Sequence, residues 1–143
     1  MARRKRVAPK AVSKPDTKTV KGIPQKIDDK PVWRFSTVDK SGPFAWPKGK
    51  AEELTIVGKL HDFDSMTWNE IEGKQHHLLS TSCLSKEALD RLEEIELDDE
   101  SENLFSFHLQ GKSRIIAIRH LGVAKLLWYD PEHKVCPSKK KHT

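Results

Sequence analysis

From Leu104 to Tyr129 three apolar runs follow one another with only short glycine-containing turns between them, a pattern that points to an antiparallel meander. Leu104 to Leu109 alternates, with Phe105, Phe107 and Leu109 on one face and Ser106 and His108 on the other. Gln110-Gly111-Lys112 is a turn and Arg114 to Arg119 a second strand. His120-Leu121-Gly122 is a second turn, and Val123 to Tyr129 a third strand that stops at Asp130-Pro131. A sheet of this kind must have one face covered by apolar side chains from elsewhere.

The preceding residues supply that cover. Val32 to Val38 alternates and is rich in β-branched and aromatic residues, which predicts a strand ended by Ser41-Gly42-Pro43. Lys50 to Phe63 places Leu54, Val57, Leu60 and either His61 or Phe63 at helical spacing, with Glu52 and Glu53 where the helix dipole favours acids. Thr67 stands three before Glu70, a capping-box pattern for a short helix that Gly73 closes. Ser85 caps a clearer helix over Lys86 to Glu96, whose Ala88, Leu89, Leu92 and Ile95 form an apolar stripe. The expected fold is α+β: an N-terminal strand and helices packed on a small antiparallel meander sheet.

Charge divides the chain. Residues 1–30 hold ten Lys/Arg against three Asp/Glu, or +7, whereas residues 31–143 hold 16 against 18, or −2. The first thirty residues include Pro9, Pro15 and Pro24 and no aromatic side chain, so they cannot bury enough surface to offset chain entropy. Residues 1–30 are therefore expected to be a disordered basic arm, residues 31–136 one domain, and residues 137–143 a basic tail. Within the arm Arg3, Arg4, Lys5 and Arg6 are either a nucleic-acid contact or a solubilising run.

Several classes are excluded by what the sequence lacks. No apolar run approaches the roughly 20 residues of a spanning helix, and no apolar stretch follows the basic start as a secretory signal requires. A cytoplasmic location without membrane contact is the expectation. Neither a phosphate-cradling glycine loop, a G-x-S-x-G elbow nor an H-E-x-x-H pair occurs, so no cofactor is expected. Cys83 and Cys136 form no C-x-x-C pair, and His76 and His77 are the only adjacent histidines, so no metal site is expected and both cysteines read as reduced thiols.

What remains is a set of polar and cationic side chains on or just beyond the meander: His108, Lys112, Arg114, Arg119, Lys125, Tyr129, His133 and Lys134. Arg and Lys can hold a phosphodiester and neutralise charge developing on phosphorus, while His or Tyr can move protons. The same residue types also populate ordinary solvated strand faces. Arg114 and Arg119 are five apart, so in a regular strand only one can share a face with His108.

The run Leu104-Phe105-Ser106-Phe107-His108-Leu109, a glycine turn and then Ser113-Arg114-Ile115-Ile116-Ala117-Ile118 resembles the central hairpin of the RelE/ParE toxin superfamily. The resemblance covers roughly residues 50–136. It implies a helical hairpin before the meander, with Arg114 at the position where the family's arginine opens the second strand of the hairpin. His108 occupies the place of a supporting cationic residue, and Tyr129 and His133 stand where the family's last functional residues arise. The Trp128-Tyr129-Asp130-Pro131-Glu132-His133 ending departs from the family's usual pattern. By resemblance the chain is expected to be the toxin of a bacterial toxin–antitoxin system, a metal-independent endoribonuclease cleaving mRNA, in some members on the ribosome, and restrained by an antitoxin protein. Arg114, His133, Tyr129 and His108 would be catalytic, and Lys112, Arg119, Lys125 and Lys134 would contact RNA. The rival expectation is a non-catalytic nucleic-acid-binding or protein-interaction module of a phage or plasmid, with the basic arm as its main contact.

Overall fold

A computed structural model describes residues 29–137, together with two-residue strands at Arg6–Val7 and Pro9–Lys10 that pair with each other. Most of the expected arm, including Arg3, Arg4 and Lys5, and all of the tail beyond Pro137 lie outside the described residues.

Strand β1 (Val32–Arg34) leads through a loop to helix α1 (Ala51–Asp64) and a one-turn helix α2 (Trp68–Ile71). A two-residue strand β2 (His77–Leu78) and a short 3-10 turn (Thr81–Cys83) precede helix α3 (Lys86–Glu94). A second 3-10 segment (Asp98–Asn103) enters the meander β3 (Leu104–His108), β4 (Arg114–His120) and β5 (Val123–Asp130). The five strands form one sheet in the order β1-β5-β4-β3-β2. The meander is antiparallel as its turns require, but β1 joins β5 in parallel, so the sheet is mixed.

Local signals act as their chemistry demands. Thr67 Oγ1 accepts from the Glu70 N–H at 3.2 Å while the Glu70 carboxylate accepts from the Thr67 N–H at 2.9 Å, so the capping box is complete. Ser85 accepts from the Ala88 N–H at 3.2 Å and starts α3. Gly111 sits at φ 59° in the β3–β4 turn, a left-handed conformation that glycine adopts without a Cβ clash.

Both faces of the sheet are covered, not one. On the first, Ile56, Leu60 and Phe63 of α1 and Trp68 and Ile71 of α2 pack against Phe105, Phe107, Ile115, Ala117, Ala124 and Leu126. On the second, Ala88 and Leu92 of α3 pack against Leu104, Ile116, Ile118, Leu127 and Trp128. The strands read as buried on both sides because they are, with Phe105, Phe107, Leu104 and Ile115 all fully buried.

Three expectations are corrected, and one strand was not foreseen. The helix α1 stripe is Ile56-Leu60-Phe63, spaced four then three along one face, and Leu54, off that face, is 76% exposed. The expected strand over Val32 to Val38 ends at Arg34, after which the chain runs beside β5 by side-chain and loop bonds rather than a ladder: Thr37 Oγ1 donates to Leu126 O at 2.7 Å and the Asp39 N–H donates to Leu127 O at 2.9 Å. Edge strand β2 has no alternation to announce it, being only His77 and Leu78. Finally, Cys83 and Cys136 are joined in a disulfide with Cα atoms 5.1 Å apart, although neither lies near the other in sequence.

A buried polar network locks α3 to the sheet. The Asp39 carboxylate accepts from Arg91 Nη2 at 2.7 Å and Nε at 2.9 Å and from Trp128 Nε1 at 2.8 Å. Burial works to raise the Asp39 carboxyl, but the hydrogen bonds from Arg91 and Trp128 outweigh it and hold the group below the ordinary range. Gly42, at φ 89°, allows the guanidinium through: a Cβ there would stand 2.5 Å from Arg91 Nε.

Two outcomes follow from this packing. Phe107 touches Phe63, Trp33 and Phe105 at ring-centroid distances of 5.2, 5.6 and 4.8 Å, so Phe107→Ala should cost about 3–5 kcal/mol in urea unfolding. A variant of unchanged stability would contradict the face assignment. His76 lies against Phe63 and accepts the His108 backbone N–H at Nδ1 over 3.0 Å; burial, then Lys59 and other nearby cations, lower its pKa from 6.5 to about 4. The unfolded chain therefore takes up this proton first, so the stability is complete above 6.5 and declines as pH falls toward 4. In His76→Asn, whose amide oxygen can still accept from His108, the slope of unfolding free energy between pH 6.5 and 5 should shrink; an unaltered slope would place the titration elsewhere.

Candidate active site

Helix α3 covers only part of the second sheet face. Toward the β3–β4 turn the face is left open as a cleft of about 430 Å³, lined by Ser106, His108, Arg114, Ile116 and Asp130 of the sheet. Its walls come from Lys74, Gln75, His77 and Leu79 on one side and from His133, Cys136 and Pro137 on the other. Three imidazoles, one guanidinium, one ammonium and one carboxylate thus surround one space.

Strand geometry explains the floor. His108 pairs with Arg114 across β3 and β4, and Arg114 pairs with Asp130 across β4 and β5, so the three side chains stand in a row on one face. His108 Nε2 donates to Gly111 O at 2.9 Å, since a carbonyl can only accept, and this leaves Nδ1 as the acceptor of the neutral ring. Arg114 donates from Nη1 to Gly111 O at 3.0 Å and Ser113 O at 3.2 Å, which anchors one corner of the fork. Burial lowers the Arg114 pKa and nearby Asp130 acts in the opposite sense. The guanidinium remains charged at any working pH.

His133 reaches the cleft from beyond the last strand. The Asp130 carboxylate, 1% exposed, accepts the backbone N–H groups of Lys134 at 2.8 Å and Val135 at 2.9 Å, curling the chain back across the sheet end. At the apex His133 adopts φ 59°, a left-handed conformation a non-glycine residue holds only where its surroundings fix it. Burial lowers the His133 pKa, and the Arg114 charge lowers it further while Asp130 partly offsets both. Its ring is accordingly biased to the neutral, proton-accepting form at neutral pH.

The structure therefore brings Arg114, His108 and His133 together and separates Tyr129 from them. Tyr129 pairs with Ile115 and packs on the α1 side of the sheet, on the opposite face from Arg114. The reason is a register shift in the β4–β5 ladder between Ile116 and Ala117, which replaces Tyr129 by Asp130 as the partner of Arg114. Arg119 faces away too, as the five-residue spacing requires. Its guanidinium carbon lies 3.9 Å from the Trp68 ring centroid, Nη1 pairs with Glu72 at 3.1 Å and Nε donates to Leu121 O at 2.9 Å.

Lys112 is exposed and pairs with Glu132 at 3.2 Å on the rim. Lys134 is exposed beside His133, whereas Lys125 pairs with Ile118 on the far part of the sheet, near Glu100. Arg6 belongs to a two-residue strand outside the sheet. Lys74, Gln75, His77 and Asp130 were not singled out by sequence. His77 and Lys74 lie in a segment without periodicity, and Asp130 read as a strand stop. No group of three or more His, Cys, Asp or Glu among the described residues has metal-site geometry. No described helix is long and apolar enough to cross a membrane. Neither a family model, nor a curated protein, nor a solved structure matches the chain.

Proposed function

We propose that this cleft binds the phosphodiester backbone of single-stranded RNA and cleaves it without a metal, the activity of a RelE-like toxin. The observation that carries the reading is the convergence of Arg114, His108 and His133, from two strands and the following turn, on one open cleft. A guanidinium with one corner anchored offers its other donors to phosphate oxygens, where planar bidentate contact suits it. A neutral His133 accepts the 2′-hydroxyl proton as that oxygen attacks phosphorus. The bond to the 5′-oxygen breaks, leaving a 2′,3′-cyclic phosphate, and the departing oxygen takes a proton from a protonated imidazole, His108 or His77. Arg114 stabilises the charge gathered on the phosphoryl oxygens in between. Tyr129 has no part, because it faces the other side of the sheet.

In this reading the protein arrests growth by destroying message, on or off the ribosome, and a cognate antitoxin protein silences it by covering the cleft. The basic residues 1–30 would add non-specific attraction to RNA.

Arg114→Ala should lower cleavage of a single-stranded RNA by about 10²–10³-fold, the usual effect of losing one preorganised charge-stabilising group. It should also relieve growth arrest on induced expression while leaving the thermal midpoint within a few degrees. Lys86→Ala, on the exposed side of α3, should cleave normally. Added chelator should change nothing, and the product should carry a 2′,3′-cyclic end. RNA that binds with Arg114-dependent affinity and stays intact would instead favour the non-catalytic nucleic-acid-binding module.

A further inference from the structure

We infer that the Cys83–Cys136 disulfide is a reducible clasp on the strap that carries His133, so that thiol–disulfide exchange opens and closes the cleft. This deepens the reading above by naming a control of the same site. Its test follows the strap rather than RNA cleavage, so either can fail alone.

The strap is the segment Pro131 to Pro137. It leaves the sheet at Asp130, crosses the end of the second face, and supplies His133, Cys136 and Pro137 to one wall of the cleft. Its near end is fixed by the last β4–β5 pair, Arg114 with Asp130. Its far end is fixed covalently, by the bond from Cys136 to Cys83 in the 3-10 turn before α3. Between them stand the hydrogen bonds from the Lys134 and Val135 N–H groups to the Asp130 carboxylate, the hydrogen bond from the Ser85 N–H to Val135 O at 2.8 Å and the buried Val135 side chain.

A segment held at both ends behaves differently from one held at a single end. Without the disulfide the far end of the strap is held only by hydrogen bonds and the Val135 side chain, and a segment with so little buried apolar contact opens locally at low cost. Only Val135 is fully buried within it, while Pro131, Glu132, Lys134 and Pro137 are exposed. The left-handed backbone at His133 favours release as well, since that conformation persists only under constraint. The bond is also within reach of a reductant: both cysteines are partly exposed and Cys136 faces the cleft itself.

The exchange balances simply. A dithiol attacks one sulfur as its thiolate, the Cys83–Cys136 bond breaks, and a mixed disulfide forms. The second thiol of the reductant then displaces the remaining cysteine. Two electrons and two protons pass to the protein, which gains two thiols, and the reductant leaves as a cyclic disulfide. A small-molecule disulfide reverses the sequence.

The full chain, oxidised and then treated with dithiothreitol, is followed by amide hydrogen exchange and by proton NMR of its imidazoles. On reduction, exchange at Lys134 and Val135 should quicken by roughly tenfold or more while amides of β4 keep their protection, the signature of local opening. The His133 resonance should move from its depressed titration toward the ordinary range near 6.5, as it loses burial and the Arg114 charge. Cys136→Ser should reproduce the reduced state and no longer respond to dithiothreitol. Unaltered exchange and titration with both thiols shown to be free would overturn the inference. So would loss of β4 protection together with that of the strap, because the bond would then staple the whole domain rather than gate one wall.

Discussion

One extra residue in the last strand decides what the cleft contains. Pairing begins at the β4–β5 turn with His120 opposite Val123 and runs regularly to Ala117 opposite Leu126. Continued without interruption it would set Arg114 opposite Tyr129. Instead Ile116 pairs with Trp128, so Leu127 is inserted, and from there every side chain of β5 changes face. Leu127 and Trp128 both enter the α3 side of the core, Tyr129 turns to the α1 side, and Asp130 arrives beside Arg114. The irregularity is held from outside the ladder. Thr37 and Asp39 bind the successive carbonyls of Leu126 and Leu127, and the Tyr129 N–H finds Phe44 O at 3.1 Å. The loop after β1 is thus less a connection than the template for the bulge.

The same loop ties the bulge to the helix that covers it. Asp39 donates its backbone N–H to Leu127 O, and its carboxylate accepts from Trp128 and Arg91, joining the loop after β1 to β5 and α3 at one buried point. Truncating one partner of such a network strands a buried charge, so its members depend on each other more strongly than their separate bonds imply. With α3 docked over Leu104, Ile116, Ile118 and Leu127, it stops short of the β3–β4 turn. Because the helix cannot cover both ends of the face, the uncovered end becomes the cleft.

Much of this was legible in the sequence, and the failures have specific causes. The meander, its turns, the Thr67 capping box and the Ser85 cap carry local signals, and each appears within a residue or two of its expected place. Arg114 and Arg119 were separated by counting alone. Tyr129 was misplaced because the bulge depends on loop carbonyl partners that no strand pattern encodes. The double cover was missed since alternation in β3, with Ser106 and His108 opposite phenylalanines, resembles a strand with one wet face. Ser106 is in fact buried. Cys83 and Cys136 are 53 residues apart, and only the return of the chain past the sheet end brings them together.

The role of Asp130 shows why the cleft keeps a cationic character despite a buried acid at its floor. A carboxylate paired across the ladder with an arginine would ordinarily close on it, and the neutralised pair would have little attraction for an anion. Here both carboxylate oxygens are already engaged, one by the Lys134 N–H and one by the Val135 N–H. That engagement spreads the acid's charge over backbone dipoles and fixes the oxygens toward the strap. Arg114 is left to bond the carbonyls of its own turn with one nitrogen. Burial and Arg114 together lower the His133 pKa against the pull of Asp130. The floor therefore combines a permanent cation with an imidazole biased to its neutral form, whereas a closed Arg114–Asp130 pair would weaken the first and oppose protonation of the second less strongly. One acid, by turning its oxygens to the backbone, builds the strap and leaves the Arg114 guanidinium facing the cleft.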